Sequence, residues 1–259
     1  MMEKNITEEL REKIFEFFLR LGDDRLILGH RLSEWCGHAP ILEEDIALAN
    51  IALDCIGQAN AIYSVAAELE NKNRTADDLA FLRHEREFKN LQLLEQPNED
   101  FAFTIARQFF YDQYSFLLYT KLSKCNYDEL KAIAVKSLKE ITYHLRHSKQ
   151  WIIKLGDGTE ESKNKIQTAI DNLWIFTNEI FFIDDLIIEL TDKNIIPDLT
   201  GIKQEWDNAV KSVFEEATLT MPDTNDFVSG SRQGRHTEYL GHLLAEMQIL
   251  PRSFPNVKW

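Results

Sequence analysis

The sequence predicts an all-α fold, a bundle of long antiparallel helices with further helices around it. Apolar residues recur at three- and four-residue spacing in one segment after another, the pattern of helices with one buried stripe. With 10 Gly and 6 Pro in 259 residues, the chain lacks the frequent turns of a β-sandwich or barrel. Four predicted helices of roughly 20 to 30 residues, joined by short connections, suit a four-helix bundle.

Each helix is predicted from its apolar stripe and from the residues at its ends. Thr7 and Thr75 have the side chains of helix N-caps, and Gly156 to Gly158 close a long helix. With 44% hydrophobic residues the chain can bury one sizeable core, so a single domain over residues 1–259 is expected. The predicted helices cover residues 7–21, 24–37, 42–71, 75–87, 100–123, 127–155, 159–190, 201–217 and 235–250.

Charge and cysteine content narrow the possible partners and the compartment. A formal net charge of -14 repels phosphate backbones and anionic lipids, which argues against nucleic-acid or membrane-surface binding and favours a basic or neutral partner. Three widely separated cysteines without a CxxC pair argue against a disulfide framework or a zinc ribbon. The acidic start has no signal-peptide pattern, and acids interrupt the most apolar stretch, residues 174–190. We expect a cytoplasmic protein.

The histidines do not follow the usual two-metal pattern of helical bundles. Such bundles take a Glu from each of two helices and a Glu-x-x-His from each of the others, and no carboxylate precedes any of the seven histidines by three residues. His144 and His147 are more typical of one core and one surface residue than of a chelating pair. Carboxylates do precede three histidines by four residues, a spacing that still shares a helix face: Glu34 and His38, Glu140 and His144, Glu238 and His242.

Other signals of chemistry are weak. The chain contains no Gly-rich phosphate loop, no G-x-S-x-G and no H-E-x-x-H, and its aromatic residues at helical spacing are typical of a core. Arg83, Arg86 and Lys89 follow each other at three-residue spacing and predict a cationic strip on one side of a helix. That strip is either a solvated face or a contact to the phosphates of a nucleotide-tailed substrate, with Arg86 and Lys89 as the candidate binding residues.

Several longer strings identify a resemblance that covers most of the chain. The sequence is similar to the C subunit of phenylacetyl-CoA epoxidase, the ring 1,2-phenylacetyl-CoA monooxygenase. The strings that carry it are LSEWCGHAP (32–40), DIALANIALD (45–54), LEQPN (94–98), ARQF (106–109), YHLRH (143–147), LGDGT (155–159), HTEYLG (236–241) and LAEMQ (244–248).

The resemblance implies a ferritin-like helical fold and a partner role in phenylacetate catabolism. In that family the catalytic sister, the A subunit, binds two irons and forms the ring 1,2-epoxide of phenylacetyl-CoA with oxygen and electrons from a reductase. The resemblance therefore implies that this chain pairs with and supports the A subunit without a cofactor of its own. The reductase, small accessory subunits and a further copy of the chain are implied as other partners.

The A subunit's ligand pattern, laid on this sequence, implies that the di-iron site is vestigial. Two ferrous ions carry four positive charges, and the two carboxylates left at these positions supply two negative charges, so we expect no di-iron centre and no catalytic residue in this chain. The remaining Glu, Asp and His should form a polar cluster or pair with a basic side chain. The matching positions are Glu34, Cys55, Gln58, Asp112, Ile141 and His144.

Two other functions remain open from the sequence. One is an autonomous metal-dependent oxidase that uses an irregular Glu/Asp/His set, with a metal at Asp112 and His144. The other is a helical binding module without any connection to an oxygenase.

Overall fold

The computed structural model describes residues 6–224, 226–255 and 257, and these residues form helices and no strand. This confirms the all-α prediction, and the set of helices fits a ferritin-like bundle. Short 3-10 helices cover Glu85–Glu87, Asn178–Phe181 and Ser231–Gln233. The α-helices are α1 Glu8–Ser33, α2 Leu42–Glu70, α3 Ala76–Phe81, α4 Gln92–Glu95, α5 Phe101–Leu122, α6 Asp128–Gly156, α7 Glu160–Trp174, α8 Asp185–Asp192, α9 Ile202–Glu216 and α10 Glu238–Ser253.

The helix starts follow the expected capping chemistry. Thr7 Oγ1 accepts a hydrogen bond from the Leu10 N–H at 3.3 Å, and Thr75 forms a capping box with Asp78. The Thr159 hydroxyl oxygen accepts from the Ser162 N–H at the start of α7. These threonines satisfy backbone donors that have no partner within the first turn of a helix.

Four of the predicted helix boundaries are wrong. The helices predicted at 7–21 and 24–37 are one continuous helix, α1, because the side chains of Asp23 and Asp24 are buried in long-range pairs instead of capping a new helix. The helix predicted at 75–87 ends at Phe81, and that at 159–190 is α7, a 3-10 turn and α8. The last helix begins at Glu238, and the short helix α4 has no counterpart among the predicted helices.

The Cα positions cluster into two compact units, which are described separately. Unit 1 comprises residues 1–97 and 230–259, within the described limits, and unit 2 comprises residues 98–229. In unit 1, α1 and α2 form the main helix pair, and two glycines of α1 allow close approach. A Cβ added to Gly22 would lie 2.6 Å from the Tyr63 ring, and one on Gly29 would lie 3.2 Å from the Ala52 carbonyl oxygen. Larger residues at these two positions would force the helices apart.

In unit 2, α5 packs against α6, α7 and α9 around an aromatic core. The Phe110 ring centroid lies 5.7 Å from those of Trp174 and Trp206, and Phe214 joins the same group. The Trp206 indole N–H donates to the Phe110 carbonyl oxygen at 3.0 Å, so the one polar atom of this buried side chain is satisfied. Within the described part of the chain, no helix is long and apolar enough to cross a membrane.

Candidate functional site

Unit 1 holds three of the positions that the resemblance matched to iron ligands. Glu34 follows the last residue of α1, its side chain is 42% exposed, and Arg31 donates to its Oε1 at 2.8 Å. Cys55 and Gln58 are buried on α2, with Cys55 Cβ 3.3 Å from where a Cβ of Gly29 would stand. Five residues separate Gly29 from Glu34, about 7 Å along a helix axis. Glu34 therefore extends from the end of α1 beyond the level at which Cys55 packs.

Unit 2 holds the other three positions, all buried. Asp112 on α5 accepts hydrogen bonds at both carboxylate oxygens, from Gln108 Nε2 and from the Ser148 hydroxyl, each at 2.7 Å. Ile141, His144 and Ser148 succeed one another along the buried face of α6. Sequence reasoning missed both donors to Asp112, although the four-residue spacing from Gln108 to Asp112 is a local signal for such a pair.

These residues do not fit a di-iron centre. Ile141 has no donor atom, Gln58 offers only a neutral amide, and both oxygens of Asp112 already accept protein hydrogen bonds. Cys55 is a buried thiol on an apolar helix face, where cysteine acts as a small hydrophobic residue. Among the described residues, no group of three or more His, Cys, Asp or Glu side chains is arranged to hold a metal ion.

The cationic strip predicted at Arg83, Arg86 and Lys89 does not exist. The helix ends at Phe81, so the three residues do not share a helix face, and Arg83 is buried. Arg86 is exposed between Glu85 and Glu87, and Lys89 is half-buried. Arg86 and Lys89 remain a predicted substrate contact, now as two separate side chains.

A buried ion pair between Asp23 and Arg83 is the centre of a polar network that the sequence did not reveal. Both terminal nitrogens of Arg83 donate to the Asp23 carboxylate, a bidentate pair with almost no exposed surface. Asp23 also accepts from the Tyr63 hydroxyl at 2.5 Å and from the Lys89 N–H at 2.6 Å. Burial raises the pKa of Tyr63 well above its usual value, and the Asp23 charge adds to this. The phenol therefore stays a hydrogen-bond donor.

Asp24 forms a second buried pair, with Arg232 from the distant C-terminal segment. Arg232 donates to both oxygens of Asp24, at 2.9 and 3.0 Å, and the Leu91 N–H donates to Oδ1 at 2.9 Å. Burial raises the pKa of the Asp24 carboxyl, and the Arg232 charge opposes that rise. Arg232 also donates to the Lys89 carbonyl oxygen, which links the two pairs.

Glu95 and His236 form the third pair. His236 Nδ1 lies 3.0 Å from Glu95 Oε2, and Nε2 lies 2.9 Å from the Phe88 carbonyl oxygen. Because both ring nitrogens face acceptors, the geometry favours the doubly protonated imidazolium. Burial lowers the pKa of His236, but the Glu95 carboxylate, the Phe88 carbonyl oxygen and the Asp23 charge together raise it above its usual value. The Thr237 N–H donates to Glu95 Oε1 at 2.6 Å, so the pair also holds the start of α10.

The Asp23 and Asp24 pairs fasten two segments outside the long helices, residues 83–96 and 230–237, to α1, and the Glu95–His236 pair joins these segments to each other. The carboxylates of the three pairs are buried and bonded to arginine, histidine and backbone donors, so no acid, base or nucleophile of this network is open to a substrate. The network is suited to holding a shape and unsuited to catalysis.

The fold is that of a ferritin-like helical protein, in which the buried Asp23, Asp24 and Glu95 are paired with arginine or histidine. All of residues 1–259 match the family model described as phenylacetic acid catabolic protein, and the chain belongs to that family. It is 48% identical over 243 residues to the C subunit of 1,2-phenylacetyl-CoA epoxidase from Escherichia coli (strain K12), a match that covers 94% of this chain and 98% of the relative. The resemblance stated from the sequence is confirmed.

Proposed function

We propose that this chain is a non-catalytic structural subunit of a phenylacetyl-CoA 1,2-epoxidase, which pairs with and supports the di-iron A subunit. The observation that carries the proposal is the 48% identity to the epoxidase's C subunit, which extends over nearly the full length of both chains. Similarity of this extent supports an equivalent place in an equivalent assembly.

The chemistry of the buried positions supports the non-catalytic part of the proposal. Cys55, Gln58 and Ile141 stand where the sequence resemblance expects iron ligands, and Asp112 is committed to Gln108 and Ser148. The two remaining carboxylates, Glu34 and Asp112, supply two negative charges and cannot balance the four positive charges of two ferrous ions in a low-dielectric interior. The di-iron chemistry would then belong to the partner, and this chain would stabilise and shape that partner.

We propose contacts with the reductase and small accessory subunits, self-association within the assembly, and a cytoplasmic location. The three cysteines are thiols, in keeping with a reducing compartment. Arg86 and Lys89 are the proposed contact to the phosphates of the CoA ester.

Co-expression with the catalytic A subunit encoded by the same genome tests the pairing. We expect one stable complex in native mass spectrometry that survives size-exclusion chromatography, and epoxidation of phenylacetyl-CoA only when both chains and the reductase are present. Two chains that separate during purification would contradict the proposal. Oxygenase activity of the isolated chain, lost in His144→Ala, would instead favour an autonomous oxidase.

A further inference from the structure

Helix α2 has a buried apolar face and, in addition, several large apolar side chains on the side that faces solvent. Its inner face carries buried residues such as Leu48, Ile51 and Ile62. On its outer face Leu42, Ile46 and Leu53 are 72%, 54% and 66% exposed. Large apolar side chains exposed together on one side of a helix are typical of a protein–protein contact, so this side of α2 indicates a partner.

The exposed apolar residues share one side of the helix, with the exposed Asn50 at the edge of their row. A helix turns about 100° per residue, so positions 42, 46, 53 and 57 fall within a sector of about 60°. Gly57 has open space where a Cβ would stand, which adds a shallow depression at the end of the row. We call Leu42, Ile46, Leu53 and Gly57 the outer stripe of α2. It is about 22 Å long, enough for four turns of a partner helix.

The charges of α2 decide which kind of partner fits. Residues 42–70 contain six acids, namely Glu43, Glu44, Asp45, Asp54, Glu68 and Glu70, and no Lys, Arg or His. Glu43 is exposed and stands beside the stripe, next to Leu42. A second copy of the chain docked through the same stripe would bring Glu43 and the neighbouring acids of α2 toward acids with no base on the helix itself, whereas a partner edged by Lys or Arg gains attraction.

We propose that the outer stripe of α2 is the docking surface for a helical ridge of a different chain, apolar along its centre and edged by Lys or Arg. The inference rests on the proposed function, under which that chain is the catalytic A subunit. The proposed function leaves the contact surface open, and the outer stripe of α2 is the surface that we assign to this contact. The apolar centre supplies most of the affinity, and the charged edge supplies selectivity against self-pairing.

Two substitutions at one position separate apolar from electrostatic effects. Leu53→Glu and Leu53→Lys both remove a buried leucine from the interface, but lysine also faces the basic edge of the partner. We expect the Kd for purified A subunit to rise at least about 10-fold for Leu53→Glu, the value of burying a leucine, and further for Leu53→Lys. Val135→Lys on α6, also half-exposed, is the control and should leave the Kd unchanged. Wild-type affinity should fall as salt is raised.

The outcomes distinguish the inference from the proposed function. If wild-type chain binds the A subunit and both Leu53 variants bind equally well, the stripe is not the docking surface, while the structural role in the complex stands. If wild-type chain does not bind the A subunit, the proposed function fails and this inference fails with it. If the isolated chain forms a dimer that Leu53→Glu dissociates, a second copy occupies the stripe, which overturns the inference. Unchanged thermal unfolding of the variants confirms that they fold.

Discussion

The two units of this protein stabilise their interiors by different means. Unit 1 contains the buried pairs Asp23–Arg83, Asp24–Arg232 and Glu95–His236. Unit 2 is organised around aromatic rings, among them Phe110 and Trp206. An aromatic core depends on shape and volume, whereas a buried ion pair depends on the presence of both members, since one member alone leaves an uncompensated charge.

The difference reflects what each unit has to hold together. The three pairs of unit 1 join residues 60, 208 and 141 positions apart, and they fasten segments that have little regular structure. In unit 2 long helices lie side by side, and apolar packing is sufficient to align them. We therefore expect unit 1 to be sensitive to the loss of single charges and unit 2 to changes of volume.

The largest expected effect is that of Asp23→Ala. It would leave the Arg83 guanidinium, the Tyr63 hydroxyl and the Lys89 N–H buried without their acceptor. We expect the free energy of unfolding to fall by about 3–5 kcal/mol in urea denaturation at neutral pH.

The matched control for Asp23→Ala is Glu34→Ala, which removes the exposed partner of Arg31 and should cost at most about 1 kcal/mol. If Asp23→Ala does not fold, Asp23→Asn keeps one acceptor oxygen and should lose about 1–3 kcal/mol. Equal effects at Asp23 and Glu34 would contradict the contrast between buried and exposed pairs.

Trp206→Phe is expected to have the next largest effect. The substitution keeps an aromatic ring but removes the hydrogen bond to the Phe110 carbonyl oxygen and part of the filled volume. We expect a loss of about 2 kcal/mol of unfolding free energy, measured in the same urea series. A loss as large as that of Asp23→Ala would remove the distinction drawn between the two units.

His236→Gln is expected to have a smaller, pH-dependent effect. The pKa of His236 is raised in the folded state, so its stabilising contribution is complete below the usual value near 6.5 and is lost as pH rises through the raised value. Below pH 6.5 the variant should be about 1.5–3 kcal/mol less stable than wild type. That gap should narrow toward alkaline pH, and it is measured by urea denaturation across a pH series.

The control is His242→Gln at an exposed position of α10, which should change the free energy of unfolding by no more than about 0.5 kcal/mol. A difference at His236 that widens with pH would mean that the imidazolium–carboxylate assignment is wrong.

The smallest expected effect is that of Arg86→Glu combined with Lys89→Glu. Arg86 is exposed and Lys89 is only half-buried, so the stability should change by no more than about 1 kcal/mol. If the two contact CoA phosphates, the assembled complex should bind phenylacetyl-CoA roughly 2- to 5-fold more weakly, as expected for exposed charge pairs. The measurement is isothermal titration calorimetry of the complex, and unchanged affinity would remove these residues from the substrate site.

The sequence predicted most of the fold because long helices leave local signals. The ends of α2, α5 and α6 follow from acidic first turns, caps and an apolar period. Gly22 to Asp24 resembled a boundary between two helices, yet the helix continues, because the two aspartates bind arginines 60 and 208 residues away. Such partners cannot be found from local pattern.

Some features of the candidate site could also be predicted from the sequence, and others could not. The absence of iron ligands at Cys55, Gln58 and Ile141 was predicted from the family resemblance. Hydrophobic periodicity alone could not have predicted it. The prediction for Arg83 was wrong because three-residue spacing gives a shared face only within a continuous helix, and α3 ends at Phe81. The bond from Ser148 to Asp112 joins two helices and needed the structure.

We propose that this chain supplies structure while the iron belongs to its partner. The most direct test is the metal content of each chain, measured by inductively coupled plasma mass spectrometry after the reconstituted, active complex is separated into its chains under conditions that retain bound iron. We expect about two iron ions per A subunit, as the family resemblance implies, and a background level in this chain. Close to two iron ions per copy of this chain would contradict the account.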